Sequence, residues 1–142
     1  VCIVGGGMIT NDLILPSVYR LQRNGTAGDV AVCAINNAPL RALKENKEIK
    51  EAFPGQDFKP WPSFDIAPDK ALPELYKEAF ASMPPRQAVI VAVPDQFHYG
   101  IVMEALRHSH HVLCVKPLVL HYSQTVEIER LAMEKGLFVG VE

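Results

Sequence analysis

Five short runs of apolar, largely β-branched residues recur along the chain, separated by longer segments of helical period: Val1–Gly5, Val30–Ile35, Ala88–Val93, Val112–Val115 and Leu137–Val141. A strand with one wet face alternates apolar and polar residues. These runs are apolar on both faces, so both faces must be covered. Between them, Ile101, Val102, Ala105 and Leu106 share one face of a helix expected over 96–108. Ile128, Leu131, Ala132 and Lys135 do the same over 123–135, with Gly136 placed as its C-terminal cap. Buried strands alternating with helices specify a mostly parallel sheet with right-handed crossovers and helices on both faces, a doubly wound three-layer α/β/α fold.

The 142 residues suit one domain, and 49% hydrophobic content is too much for a disordered chain. Fourteen basic against sixteen acidic side chains leave a formal charge of −2, without the basic face that phosphate neutralisation requires, so no nucleic-acid partner is expected. No apolar run approaches the roughly 18–20 residues that span a bilayer. Cys2, Cys33 and Cys114 each lie inside an apolar run and form no CxxC pair, which reads as three buried, reduced thiols. With no secretory h-region, a cytoplasmic setting is expected. The chain opens on a strand with no initiator methionine, as a sequence short of a few native residues would.

The middle departs from the alternation. Pro54, Pro60, Pro62, Pro68 and Pro73 fall between Phe53 and Pro73, with the single tryptophan, Trp61. Proline donates no ladder hydrogen bond, so 50–73 reads as an ordered loop insertion with one short strand at about 61–64. A helix over about 72–82 should follow, stopped by Pro84-Pro85, and Trp61 and Phe64 should pack over the sheet edge.

Gly5-Gly6-Gly7-Met8-Ile9-Thr10 follows the first strand directly and leads into a helical segment. Glycine is needed where the chain turns tightly and where backbone approaches a pyrophosphate, and the unpaired N–H groups of a helix start favour anions. Gly5 and Gly7 fill the first two positions of GxGxxG, with Thr10 at the third. The placement points to a Rossmann-like dinucleotide site and to strand order 3-2-1-4-5-6. Pro16 argues for an irregular turn over 10–15 and a regular helix from Pro16 to about Asn24, ended by Gly25. Such folds usually end the second strand on a carboxylate that holds the adenine ribose. Here that strand ends Cys33-Ala34-Ile35-Asn36-Asn37, with Arg41 inside the next helix, so NAD and NADP both stay open.

Two further segments make the pattern specific. Val93-Pro94-Asp95-Gln96-Phe97-His98 ends the strongest strand, and Lys116-Pro117 ends the next one within His111-Val112-Leu113-Cys114-Val115-Lys116-Pro117-Leu118. Together with the glycine turn and Leu131-Ala132-Met133-Glu134-Lys135-Gly136, this resembles the nucleotide-binding domain of the Gfo/Idh/MocA family of NAD(P)-dependent oxidoreductases. The resemblance covers nearly the whole chain outside the proline-rich stretch. It implies Lys116 as the active-site lysine, with His98 near the nicotinamide or capping its helix. The candidate cofactor contacts are then Gly5, Gly7, Met8, Ile9, Val93, Pro94, His98, Val115 and Lys116, with Asn36, Asn37 and Arg41 after the second strand as the readers of a 2′-phosphate if NADP is preferred.

Three positions depart from the family pattern: Val115 replaces the glutamate of Glu-Lys-Pro, Ala34 the ribose-binding acid and Thr10 the third glycine. His108, His110 and His111 lack an acidic or cysteine ligand at suitable spacing, so no metal site is expected. Ser109 takes the usual glycine position of its turn. The resemblance further implies a second domain beyond Glu142 that carries the contacts to a sugar- or polyol-like substrate, the proton-transfer residue and a homo-oligomer interface. Residues 1–142 would then be a fragment of a two-domain dehydrogenase acting on CH–OH groups. The competing reading is an inactive NAD(P)-binding sensor or regulatory module, with Val115 as its mark.

Overall fold

A computed structural model describes residues 1–142. Six parallel strands form one sheet: β1 (Cys2–Val4), β2 (Ala31–Cys33), β3 (Lys59–Trp61), β4 (Ala88–Val91), β5 (His111–Cys114) and β6 (Val139–Val141). Their order is β3-β2-β1-β4-β5-β6, the doubly wound order expected from the glycine turn. Val4 pairs with both Cys33 and Val91, and Val91 with Cys114, so the C-terminal ends of the four central strands lie level.

Successive strand residues point to opposite faces, and each face has its own core. Cys2, Val4, Val89, Val91, Val112 and Cys114 pack with Phe80, Val102 and Leu106. Ile3, Val32 and Ile90 pack on the other side with Leu15, Val18 and Leu40. Helices α4 (Leu75–Ala81), α5 (His98–Arg107) and α6 (Tyr122–Lys135) cover the first face, and α1 (Leu15–Arg23), α2 (Ala38–Glu45) and α3 (Lys47–Ala52) the second. All three cysteines are buried and free, and burial pushes the Cys2 and Cys114 thiols up to about 12.

Pro16 acts as expected. A π-helical turn over Thr10–Ile14 precedes α1, whose first turn holds the proline, and Gly25 follows with φ +75°. Gly136 caps α6 in the left-handed region at φ +61°. Ser109 sits at φ +62°, a conformation that disfavours a side chain, as its place in the turn implied.

The proline-rich segment is more regular than expected. Lys47–Ala52, unforeseen in the sequence, forms α3, capped by Asn46 Oδ1 accepting the Ile49 N–H at 3.1 Å. The short strand lies at Lys59–Trp61 rather than 61–64. Lys59 N–H donates to Val30 O at 2.8 Å, so Pro60 turns its missing donor to the open edge, where it breaks nothing. The following helix starts at Leu75 rather than near 72; a turn closed by the Leu75 N–H on Leu72 O at 3.2 Å precedes it, and the Leu72 N–H is given to Ile35 O at 2.7 Å.

Candidate dinucleotide site

The order β2-β1-β4 makes β1 and β4 the strands where the winding reverses, and ligands of open α/β sheets bind beyond the carboxyl ends of such strands. A cleft of about 860 Å³ lies there. Its floor is Val4–Gly7 after β1, one wall is Cys33–Asn36 after β2, and the other is Ala92–Pro94 after β4 with the start of α5. A further wall, Leu72 to Tyr76, was not anticipated; the Leu72–Ile35 backbone bond brings the proline-rich segment back over the end of β2.

The glycine turn is built by close approach. Gly5 has φ +117°, and a Cβ there would sit 2.0 Å from the Ala92 carbonyl oxygen of the neighbouring strand end. At Gly7 an added Cβ would meet nothing within 4 Å, so the backbone is bare toward the cleft. Thr10, fully buried, donates its hydroxyl to Gly5 O at 2.7 Å. Where a third glycine would let helix and strand approach, this chain ties them with a hydrogen bond.

The first helical amide with a backbone acceptor is Asn11, bonded to Gly7 O at 3.0 Å. The N–H groups of Gly6, Gly7, Met8, Ile9 and Thr10 have no acceptor in the chain. Gly6 and Gly7 line the cleft, Met8 and Ile9 are exposed beside it and Thr10 is buried; free donors at such a helix start suit a diphosphate. Ile35 and Phe97, both exposed, give the cleft apolar surface on which a flat ring can lie.

The nominated residues divide. Gly5, Gly7, Asn36, Val93 and Pro94 line the cleft. Met8 and Ile9 are exposed beside it and offer their amides, their side chains being outside the lining. Asn37 and Arg41 have other partners. The buried Asn37 amide donates to Ser63 O and Ile66 O at 2.9 and 2.8 Å and accepts from Arg41 Nε at 3.0 Å. Arg41 also donates to Phe64 O and lies 5.0 Å over the Phe64 ring. These two residues brace the 63–66 loop; Lys59 likewise lies over Trp61, at 4.9 Å.

His98 is fully buried, with Nε2 2.8 Å from Val93 O and Nδ1 2.8 Å from Pro117 O. It joins the cleft wall after β4 to the segment after β5 and presents no free ring nitrogen to the cleft. Val115 is buried in the α1–α3 core, its N–H bonded to Val91 O at 3.0 Å. Lys116, exposed, follows at the same end of the sheet as the glycine turn, one strand beyond the β4 wall and outside the cleft lining. Its backbone N–H bonds Glu142 O at 2.8 Å, and its ammonium forms no ion pair.

The histidines near β5 serve the fold. His110 Nε2 donates to Phe80 O at 3.0 Å, leaving Nδ1 unpartnered, and His111 Nδ1 accepts the Phe138 N–H at 3.0 Å. Desolvation lowers the proton affinity of His110.

Unpaired amides at a helix start, a position that only glycine can fill and a cleft where the winding reverses define a dinucleotide-binding Rossmann domain. The profile of the Gfo/Idh/MocA family, described as "Oxidoreductase family, NAD-binding Rossmann fold", matches residues 1–142, and the chain belongs to this family. An uncharacterised oxidoreductase of Bacillus subtilis, YfiI, is 40% identical over 70 residues, covering 46% of this chain and 18% of that protein. Two solved structures share the fold. Biliverdin reductase of Synechocystis sp. PCC 6803, with biliverdin and NADP+, has a TM-score of 0.69 at 23% identity over 99% of this chain and 36% of that one. The WlbA dehydrogenase of Chromobacterium violaceum, with NADH and UDP-GlcNAcA, has a TM-score of 0.66 at 18% identity over 99% of this chain and 34% of that one. The chain thus spans about a third of the length of these structures. No helix is long and apolar enough to cross a membrane.

Proposed function

We propose that residues 1–142 are the cofactor-binding part of a longer, two-domain NAD(P)-dependent dehydrogenase acting on a sugar- or polyol-like substrate. The carrying observation is the run of unpaired amides from Gly6 to Thr10 at a helix start, of which Gly6 and Gly7 line a cleft at the β1/β4 switch point. The family's oxidoreductase character and a fold neighbour that holds a nucleotide sugar support the substrate class. A bound nicotinamide dinucleotide would supply hydride transfer to or from a CH–OH or C=O carbon. The chain's own part is to hold the diphosphate on those amides, to seat the adenosine between the β2 end and the Leu72–Tyr76 wall, and to exclude water with Ile35 and Phe97.

Lys116 lies at a strand's carboxyl end with its ammonium free of protein partners. It hydrogen-bonds the reacting oxygen and stabilises the negative charge that develops on it. The proton itself passes through a residue outside 1–142. His98 positions: through Val93 O and Pro117 O it sets the spacing between the cleft wall and the strand end bearing Lys116. Three buried free thiols fit a reducing, cytosolic setting, and the second domain carries the homo-oligomer contacts.

Steady-state turnover of Lys116→Ala in the intact protein tests the assignment. A fall in kcat of about 10²-fold or more is expected, with cofactor affinity changed little; unchanged turnover removes Lys116 from the mechanism. Val115 in place of the family's glutamate favours a second reading, an NAD(P)-binding sensor. Saturable NADH binding without turnover of any sugar or polyol by the intact protein selects that reading.

A further inference from the structure

The β2 end lacks the carboxylate that commonly holds the adenosine ribose; it offers Ala34, Ile35 and Asn36 instead. The proline-rich segment brings a carboxylate to the same place. Leu72 N–H donates to Ile35 O at 2.7 Å, fixing the segment against the strand end, and two residues later Glu74 lines the cleft together with Ala34, Ile35 and Asn36. Among the residues lining the cleft, Glu74 alone has a side chain charged at neutral pH.

The Glu74 side chain is 71% exposed, and its one protein partner is Lys77 Nζ, 2.7 Å from Oε1. The other carboxylate oxygen has no partner in the chain. Asn36 complements it: Oδ1 accepts the Ala38 N–H at 3.2 Å, which leaves its amide hydrogens free at the cleft wall.

No lysine or arginine lines the cleft, and Arg41 and Lys77 on its flanks already have partners. Arg41 is held by Asn37 Oδ1, Phe64 O and the Phe64 ring and does not line the cleft. Lys77 also lies outside the lining and is turned to Glu74.

We propose that Glu74 reads the adenosine ribose and makes this protein select NAD over NADP. Its carboxylate accepts hydrogen bonds from vicinal ribose hydroxyls, whereas a 2′-phosphate would replace one donor with a group of nearly two negative charges facing a carboxylate. The proposal rests on the NAD(P)-binding reading above and adds the residue that discriminates between the two dinucleotides.

Fluorescence titration of the purified protein with NADH and with NADPH tests it. The wild type should bind NADH about tenfold or more tightly than NADPH, and less selectively at high salt, because an exposed carboxylate is screened. Glu74→Gln should bring the ratio of the two affinities to within about threefold of unity. Glu74→Asp should keep part of the preference, and the melting temperature of both variants should stay near that of the wild type, since the Glu74 side chain is exposed and its one partner is a surface lysine. A wild type that binds both equally, or a Glu74→Gln variant with an unchanged ratio, overturns the proposal. A wild type that prefers NADPH, and loses that preference in Lys77→Met, overturns it and assigns Lys77 as reader of the opposite specificity. Saturable binding of neither nucleotide overturns the underlying cofactor reading, and the proposal with it.

Discussion

Gly5 and Gly7 sit two residues apart and do different work. At Gly5 the positive φ and the Ala92 carbonyl, 2.0 Å from where a Cβ would stand, leave no room for any side chain. Gly5→Ala should therefore destabilise the fold by more than about 3 kcal/mol, as overpacking against backbone does. At Gly7 the space is open, so Gly7→Ala should melt within about 2 °C of the wild type and lose most of its NADH affinity, since the methyl stands where the cofactor must approach. Thermal melts and NADH titration of both variants check this; equal melting temperatures, or undiminished binding by Gly7→Ala, would assign both glycines a plain turn role. The sequence puts both residues in a tight turn after β1, where the structure has them, because a glycine turn after an apolar strand is a local signal. It could not reveal that Thr10 closes the same turn through its hydroxyl, since that bond depends on how close the helix start comes to Gly5 O.

Among the elements, regular strands and long helices were legible from periodicity, whereas the segments shaped by side chains reaching back to distant backbone were not. The wall from Leu72 to Tyr76 exists because Leu72 bonds Ile35, thirty-seven positions away. Asn37 and Arg41 look like cofactor readers by position after β2, yet both are turned to the 63–66 loop, which no local pattern announces. The turn between α5 and β5 is another such case. His110 is buried, gives Nε2 to Phe80 O, leaves Nδ1 unpartnered and stacks beside His108, with Glu104 bonded to His108 across the turn. Desolvation depresses its proton affinity below the ordinary value of 6.5, with His108 and His111 adding to the effect. As pH falls below 6.5, the unfolded chain takes up a proton that the folded chain refuses. The stabilisation is complete above that pH and lost as the pH drops toward the folded value, by about 1.4 kcal/mol for each tenfold difference in proton affinity. Urea midpoints at pH 7.5 and 5.5 should fall further for the wild type than for His110→Gln; parallel losses would show that His110 titrates normally in the fold.

At the scale of the whole molecule, the sheet is two three-stranded halves, β1–β3 and β4–β6, joined along β1 and β4, and the cleft lies across that join. The architecture was readable because alternation of two-faced apolar strands with helices leaves few topologies. What the sequence could not supply was distance: Lys116 comes to the same end of the sheet as the glycine turn but one strand outside the cleft lining. A ligand bound across the join stabilises both halves only in the folded state, so its free energy adds to folding by mass action. At a hundredfold excess over its dissociation constant NADH should add about 2.7 kcal/mol, which for a domain of this size raises the melting temperature by about 8–10 °C. Gly7→Ala should lose that shift, because a methyl there would obstruct the proposed diphosphate seat, while Lys116→Ala should keep most of it, because Lys116 lies outside the cleft lining and is proposed to serve the reacting oxygen rather than the dinucleotide. Loss of the shift in Lys116→Ala would make that lysine part of the cofactor seat, and its effect on turnover would then follow from binding alone.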